Sequence, residues 1–350
     1  MRELEELVET CLEADGPLTV AQFMQLALHH PDYGYYAKDD PLGAGGDFVT
    51  APEISQIFGE LLGLWCVEMW KMAGRPAPFA LFEMGPGRGT LMVDVLRATQ
   101  RVEGFHKAMR LCLMESNATL RARQKEVLAP YELEYIAGPE ALPPMPVLAL
   151  ANEFFDALPI HQYIKTEQGW YERCVGREGG ALAFVVGAKP VALPLPDALS
   201  FYEVCPQAIG FVRDLAQHIA RYGGAALLID YGYVDPDGAD TLQATSAHRL
   251  VNPLERVGEV DLTAHVDFSA LALAAEKQNC HVTEIVGQGP FLQALGIDIR
   301  AAQLKLAADV EEAALLDSAV HRLTAPDQMG ALFKVMALTP QDRKEVCGFP

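Results

Sequence analysis

The run FALFEMGPGRGTLMVDVL (79–96) carries the densest chemical signal in the chain. Glu83 closes an apolar stretch, Gly85, Gly87 and Gly89 follow at alternate positions, and Thr90 opens an amphipathic stretch. Glycine lets backbone approach a ligand closely, and a helix N-terminus adds partial positive charge. Strand, Gly-rich turn and helix in that order make a nucleotide-type cofactor site. A dinucleotide fingerprint wants GxGxxG. Here the spacing is GxGxG, and Thr90 stands where the third glycine belongs. A carboxylate at Glu83 would repel a pyrophosphate. It suits a ligand with an amino group and a sulfonium, such as S-adenosylmethionine. An ordinary strand–helix turn is the competing reading. A second acidic residue, Glu115, closes the next apolar run, 26 residues after Gly89. Acidic residues about 20 positions beyond such a turn bind ribose hydroxyls in doubly wound folds. A solvated strand-end carboxylate is the alternative.

These residues need elements to hold them. From Phe79 onward, short apolar runs alternate with helical patterns: 79–84, 110–116, 133–137, 146–153, 225–232, 279–289 and 331–338 read as strands. Such alternation predicts an α/β fold with a mainly parallel sheet covered on both faces. Residues 159–200 break the alternation, read as hairpins, and are an expected insertion after the fourth strand. Residues 1–75 read as an N-terminal helical or lid region, with a boundary at GRPAP (74–78), and 76–350 as the core. Residues 290–325 are expected to be helical and to pack outside the core. Between two helices of the front region, residues 31–53 form a loop of 23 residues. Loops of that length in compact domains are usually functional or disordered, and three tyrosines and Phe48 argue against disorder. Thr50, Pro52 and Glu53 read as a capping box opening the next helix.

The chain has 350 residues, half of them apolar, enough for a sizeable core. Its 27 basic and 47 acidic side chains give a formal net charge of −20. Such a surface repels phosphate backbones and favours basic partners, so nucleic acid is not expected. No apolar run approaches the ~20 residues of a membrane span. Seven scattered cysteines without CxxC, and nine histidines without HxxxH, predict neither a disulfide framework nor a metal site. The acidic N-terminus lacks the marks of a leader. A bacterial cytoplasmic location is therefore expected, or the mitochondrial matrix for a processed eukaryotic chain. Apolar helix faces at 54–72 and 299–323 are compatible with core packing or with a homo-oligomer.

Read together, GYYAKDDPLGAGGDFVTAPEISQIFGELLGLW, EMGPGRGTL, ANEFFDALPIHQY, LLIDYG, VDLTAHVDFSAL and GQGPFL resemble the MidA-like family. That family includes the arginine methyltransferase that serves as a mitochondrial complex I assembly factor. The matching segments run from about residue 16 to 338. The resemblance implies a seven-stranded Rossmann-like sheet, S-adenosyl-L-methionine as cofactor, and methylation of an arginine in a protein, linked to respiratory-complex assembly. It also implies cofactor or substrate contact by the long loop, with Gly46, Asp47 and Thr50 as the named candidates. A non-catalytic assembly chaperone of the same fold and a dinucleotide-dependent oxidoreductase are the competing functions; Glu83 and the missing third glycine argue against the latter.

Methyl transfer from a sulfonium is an in-line displacement, so alignment is the enzyme's main task. If the acceptor is a guanidinium, carboxylates can orient it and accept the released proton. The fourth strand ends in Asn152-Glu153-Phe154-Phe155-Asp156, at the sheet edge where ligands bind. Glu153 is the expected guanidinium ligand, Asp156 its helper on the same face of a helical turn, and Asn152 a cofactor contact. Turn capping is the alternative for Asn152 and Asp156. His265 is a candidate proton relay because histidine is the residue type that titrates near neutrality; a structural histidine is the alternative.

Overall fold

The structure is a computed structural model that describes residues 2–37, 50–246 and 249–350. The chain divides into two compact units. One consists of Val49–Phe154, Gly210–Tyr233 and Phe268–Pro350; the other of Met1–Phe48, Phe155–Ile209 and Val234–Asp267.

The first of these carries the sheet. Its elements are α1 (Gln56–Met72), β1 (Phe79–Met84), α2 (Thr90–Thr99), β2 (Met109–Met114), α3 (Ala118–Val127), β3 (Leu133–Tyr135), β4 (Val147–Asn152), β5 (Gly224–Tyr233), α4 (Phe268–Glu276), β6 (Cys280–Val282) and β7 (Phe333–Pro340). The strand path is β6-β7-β5-β4-β1-β2-β3. From β5 to β3 every neighbour is parallel, and β7 runs antiparallel to both β5 and β6. Every residue of β1 is buried, as a central parallel strand covered on both faces requires. The late strand expected over 279–289 is shorter: Cys280–Val282, then Val286–Gly287 beside β7.

Two expectations change here. The boundary expected at 75 falls instead at 48/49. The reason is α1, whose Ile57, Phe58, Leu61, Leu62, Trp65 and Met69 are buried in one apolar cluster with Phe79 and Leu81 of β1. The helices expected outside the core enter the same cluster through Phe291, Leu292, Ile297, Ala301 and Leu323.

The capping expectation also changes. Thr50 heads a short helix, Ala51–Ile54, without a side-chain cap, and Ser55 caps α1 by accepting from the Ile57 N–H. Glu53 turns away from its own helix and accepts the Thr90 hydroxyl at 2.5 Å. Further along, α1 crosses α2 at two glycines. A Cβ on Gly59 would lie 2.5 Å from Asp94 Cβ, and one on Gly63 would lie 2.9 Å from the Val95 carbonyl oxygen. Gly59→Val is therefore expected to destabilise the protein by about 1–3 kcal/mol through overpacking. A urea titration that shows an unchanged midpoint would show that the helices can separate freely.

The second unit has its own core, with Leu4, Val8, Phe23, Met24 and Leu28 packed against Ile160, Val175, Val260 and Leu262. The helix Val20–His29 starts at a full capping box between Thr19 and Gln22. The expected insertion is an antiparallel sheet: His161–Thr166 pairs Gly169–Glu178 and Phe201–Val204, and Gly169–Glu178 also pairs Ala181–Pro190. Tyr35 is buried, and the Tyr36 hydroxyl donates to Asp261 at 3.0 Å, so both pack within this unit.

Candidate cofactor and active site

The turn after β1 is shaped by backbone that only glycine adopts readily. Gly85 has φ +66° and Gly89 φ +84°. A Cβ on Gly85 would lie 2.8 Å from the Phe154 ring, and one on Gly89 3.2 Å from Val127. Gly85 N–H donates to the Met114 carbonyl, which ties the turn to the end of β2. Gly87 lies between them, also at positive φ. Gly89 caps α2 with no side-chain acceptor, so the first N–H groups of that helix lack a side-chain cap from their own end. Thr90 is held by Glu53 from the segment preceding α1.

Glu83 is 3% exposed, and its Oε2 has no hydrogen-bond partner. Burial, with the nearby Glu115 charge second, pushes its carboxyl up to about 8. Burial also raises Glu115, opposed by its hydrogen bonds. Glu115 accepts the Asn117 N–H at 2.8 Å and the Gln124 amide at 3.4 Å. Asn117 itself caps α3. Asn152 donates to Glu153 Oε1 at 3.0 Å, while its own Oδ1 is buried without a partner. Gln124 Oε1 is a third buried oxygen without one. Among the described residues, the buried side-chain atoms near the turn without a partner are thus all acceptors. Leaving such a group unmade costs about 1–3 kcal/mol each, and a cationic, donor-rich ligand removes that cost. The residues present therefore fit S-adenosylmethionine, with its amino group, sulfonium and ribose hydroxyls, better than an anionic dinucleotide.

The end of β4 differs from expectation. No helix forms over 153–156. Glu153 sits at φ +50°, in the left-handed region that is costly for a residue with a Cβ. Its Oε1 accepts both the Ala51 N–H at 2.8 Å and the Asn152 amide. With no helix there, Glu153 and Asp156 do not share a helical face, and Asp156 belongs to the other unit. Asp156 is buried, and its carbonyl accepts the Ala264 N–H. His265 also lies in that unit, its backbone N–H donating to Thr241 Oγ1 at 2.9 Å. Gly46 and Asp47 lie outside the described residues. The structure thus brings Glu83, Gly85, Gly87, Gly89, Thr90, Glu115, Asn152 and Glu153 together in one unit, with Thr50 at the head of the helix that Glu153 anchors.

Two contributors carry no assigned role in the sequence reading. Asp230, fully buried near the end of β5, accepts the Phe154 N–H at 3.1 Å and so braces the turn that follows Glu153. Its signal was legible: a carboxylate closing an apolar strand. Gln124 had none, since it lies amid a polar helix sequence.

A parallel sheet with one reversed strand, and an acidic Gly-rich turn at the end of its first strand, define a Rossmann-like transferase for a nucleoside cofactor. Residues 61–286 match the family model of S-adenosyl-L-methionine-dependent methyltransferases. The chain belongs to the MidA-like family of these enzymes. It is 38% identical over 356 residues to "Protein arginine methyltransferase NDUFAF7, mitochondrial" of Danio rerio, covering 93% of this chain and 84% of that one. The protein of that name from Homo sapiens is 36% identical over 369 residues, covering 95% and 82%. Among solved structures, a COG1565 superfamily member from Burkholderia thailandensis, bound to S-adenosyl-homocysteine, superposes with a TM-score of 0.85 at 28% identity, covering 99% of this chain and 93% of that one.

Proposed function

We propose that this protein transfers a methyl group from S-adenosyl-L-methionine to an arginine guanidinium of a protein. The observation that carries the reading is similarity along nearly the whole chain to proteins named as arginine methyltransferases. The acceptor-rich surroundings of Glu83 support the cofactor half. Glu83 takes the cofactor's amino group, the Gly85–Gly89 turn admits its backbone-close part, and Glu115 takes the ribose hydroxyls. Asn152, Thr90, Thr50, Gly46 and Asp47 are further proposed contacts. When bound, the cofactor supplies an electrophilic methyl group on a sulfonium.

The chain's own part in the transfer is alignment and proton handling. Glu153 pairs with the acceptor guanidinium and directs one nitrogen along the reaction axis. That nitrogen gains a methyl and loses a proton, and the guanidinium keeps its positive charge. Glu153 accepts the proton. The unit that contains the front helices and the antiparallel insertion is assigned to acceptor recognition. A net charge of −20 suits a basic segment around the target arginine. The family resemblance extends the proposal to respiratory-complex assembly. Of the two expected locations, the matrix has support from the mitochondrial relatives and the bacterial cytoplasm has none. Among the described residues, no helix is long and apolar enough to cross a membrane.

The test is transfer of labelled methyl from S-adenosylmethionine into a library of basic arginine peptides and into intact respiratory-complex subunits. Mass spectrometry then reads the modified residue. Label on arginine is the expected result. Label on lysine or on a small molecule, or none from a protein that binds S-adenosylhomocysteine, overturns the acceptor assignment.

A further inference from the structure

Gln124 is fully buried on α3, a helix whose sequence is otherwise polar. One amide nitrogen faces two acceptors. Nε2 donates to the Gly87 carbonyl at 2.7 Å and, more weakly, to Glu115 Oε2 at 3.4 Å. Gly87 is the middle glycine of the turn after β1, and Glu115 follows β2. These two pieces come from separate strands, and a side chain from a third element joins them. The same helix also closes on the turn from the side, since a Cβ on Gly89 would meet Val127 and Gln124. The amide orientation is fixed by its partners. A flipped amide would set its oxygen against the Gly87 carbonyl and the Glu115 carboxylate. The cost of this arrangement is Oε1, which is buried without a partner. A leucine or methionine would fill the space with no such cost. A buried amide retained at that cost, and aimed at the two groups that define the cofactor geometry, calls for a functional reason.

We propose that Gln124 is a positioning residue of the cofactor site: it locks the Gly-rich turn to the Glu115 carboxylate, so that ribose recognition by Glu115 depends on the Gln124 amide. This rests on the cofactor reading above. Gln124 acts through Glu115 and Gly87. Without its amide, the Glu115 carboxylate keeps its backbone donor at Asn117 but loses its link to the turn.

The test is a cycle between Gln124 and the ribose hydroxyls. S-adenosylhomocysteine and its 2′,3′-dideoxyribose analogue are titrated calorimetrically into the wild-type chain, Gln124→Met and Gln124→Glu, with thermal unfolding of each free protein in parallel. Wild type is expected to prefer the hydroxyl-bearing ligand by about 10-fold or more, and Gln124→Met to bind it about 10- to 100-fold more weakly, as loss of one or two buried hydrogen bonds implies. The preference between the two ligands should shrink toward parity in both variants. Gln124→Glu preserves the shape of the side chain and so covers the case in which Gln124→Met does not fold. A lowered unfolding temperature with an undiminished preference would identify a purely structural residue and overturn the inference. Wild type that binds both ligands equally also overturns it, while leaving the cofactor reading intact. Wild type that binds neither overturns the cofactor reading itself, and this inference with it.

Discussion

Glu83→Ala is expected to weaken binding of S-adenosylhomocysteine by about 100-fold or more, the scale on which removing one partner of a buried charged pair acts. The ligand-free protein should not be destabilised in proportion. In wild type this carboxyl is buried with one oxygen unpartnered, so its removal relieves a desolvation cost while leaving a small void. Loss of binding from a protein that still unfolds cooperatively would therefore locate the effect in the site. The pH dependence follows from the same burial. The Glu83 carboxyl is raised from the usual value near 4.5 to about 8, so the folded chain holds a proton that the unfolded chain releases. The resulting stability is complete below about 4.5 and is lost as pH rises through about 8. Affinity for the amino-bearing ligand should move in the opposite direction, tightening up to about pH 8 as the carboxylate forms. Glu83→Gln should flatten both trends. A wild-type affinity that is level from pH 6 to 9 would remove Glu83 from the role of amino-group ligand.

Glu153→Gln should separate binding from transfer. The wild-type carboxylate accepts the Ala51 N–H and the Asn152 amide through Oε1. A glutamine oxygen can accept both, and the side-chain volume hardly changes. The anchor on the Ala51–Ile54 helix should thus survive, and S-adenosylhomocysteine affinity should stay within about 3-fold, a cost below 1 kcal/mol. What disappears is the negative charge proposed above to orient a guanidinium and accept its proton. Methyl transfer to an arginine peptide should fall about 100- to 1,000-fold, the scale of losing a positioned base or an electrostatic contact. Single-turnover rates with enzyme in excess give the cleanest comparison. Transfer at the wild-type rate would reduce Glu153 to a brace for the Ala51–Ile54 helix. Its left-handed backbone places a residue with a Cβ where glycine is favoured, which is the kind of strain that functional positions retain.

The sequence by itself determined the strand, turn and helix on which the proposed cofactor site is built. The Gly85–Gly89 turn, Glu83 before it and Glu115 at the next strand end are local signals, because strand, turn and helix follow one another in the chain and their spacing is the geometry. The insertion over 159–200 was legible for the same reason, as a break in a regular alternation. The tertiary structure decided what distant segments share. It gave Glu53 to Thr90, where local rules read a cap, because a carboxylate reaching across 37 residues of chain leaves no mark on its own neighbourhood. It moved α1 into the sheet unit, since an apolar helix face declares that it will be buried but not against what. It denied Glu153 and Asp156 a shared helical face, because a left-handed residue ends the strand and no helix follows it. And it gave Gln124 to the turn, a residue whose sequence surroundings are polar and whose burial arises only when α3 packs down on Gly87 and Gly89. Local spacing encodes what one backbone segment can do alone. Which side chain completes it is set by the fold, through contacts whose partners are far apart in sequence.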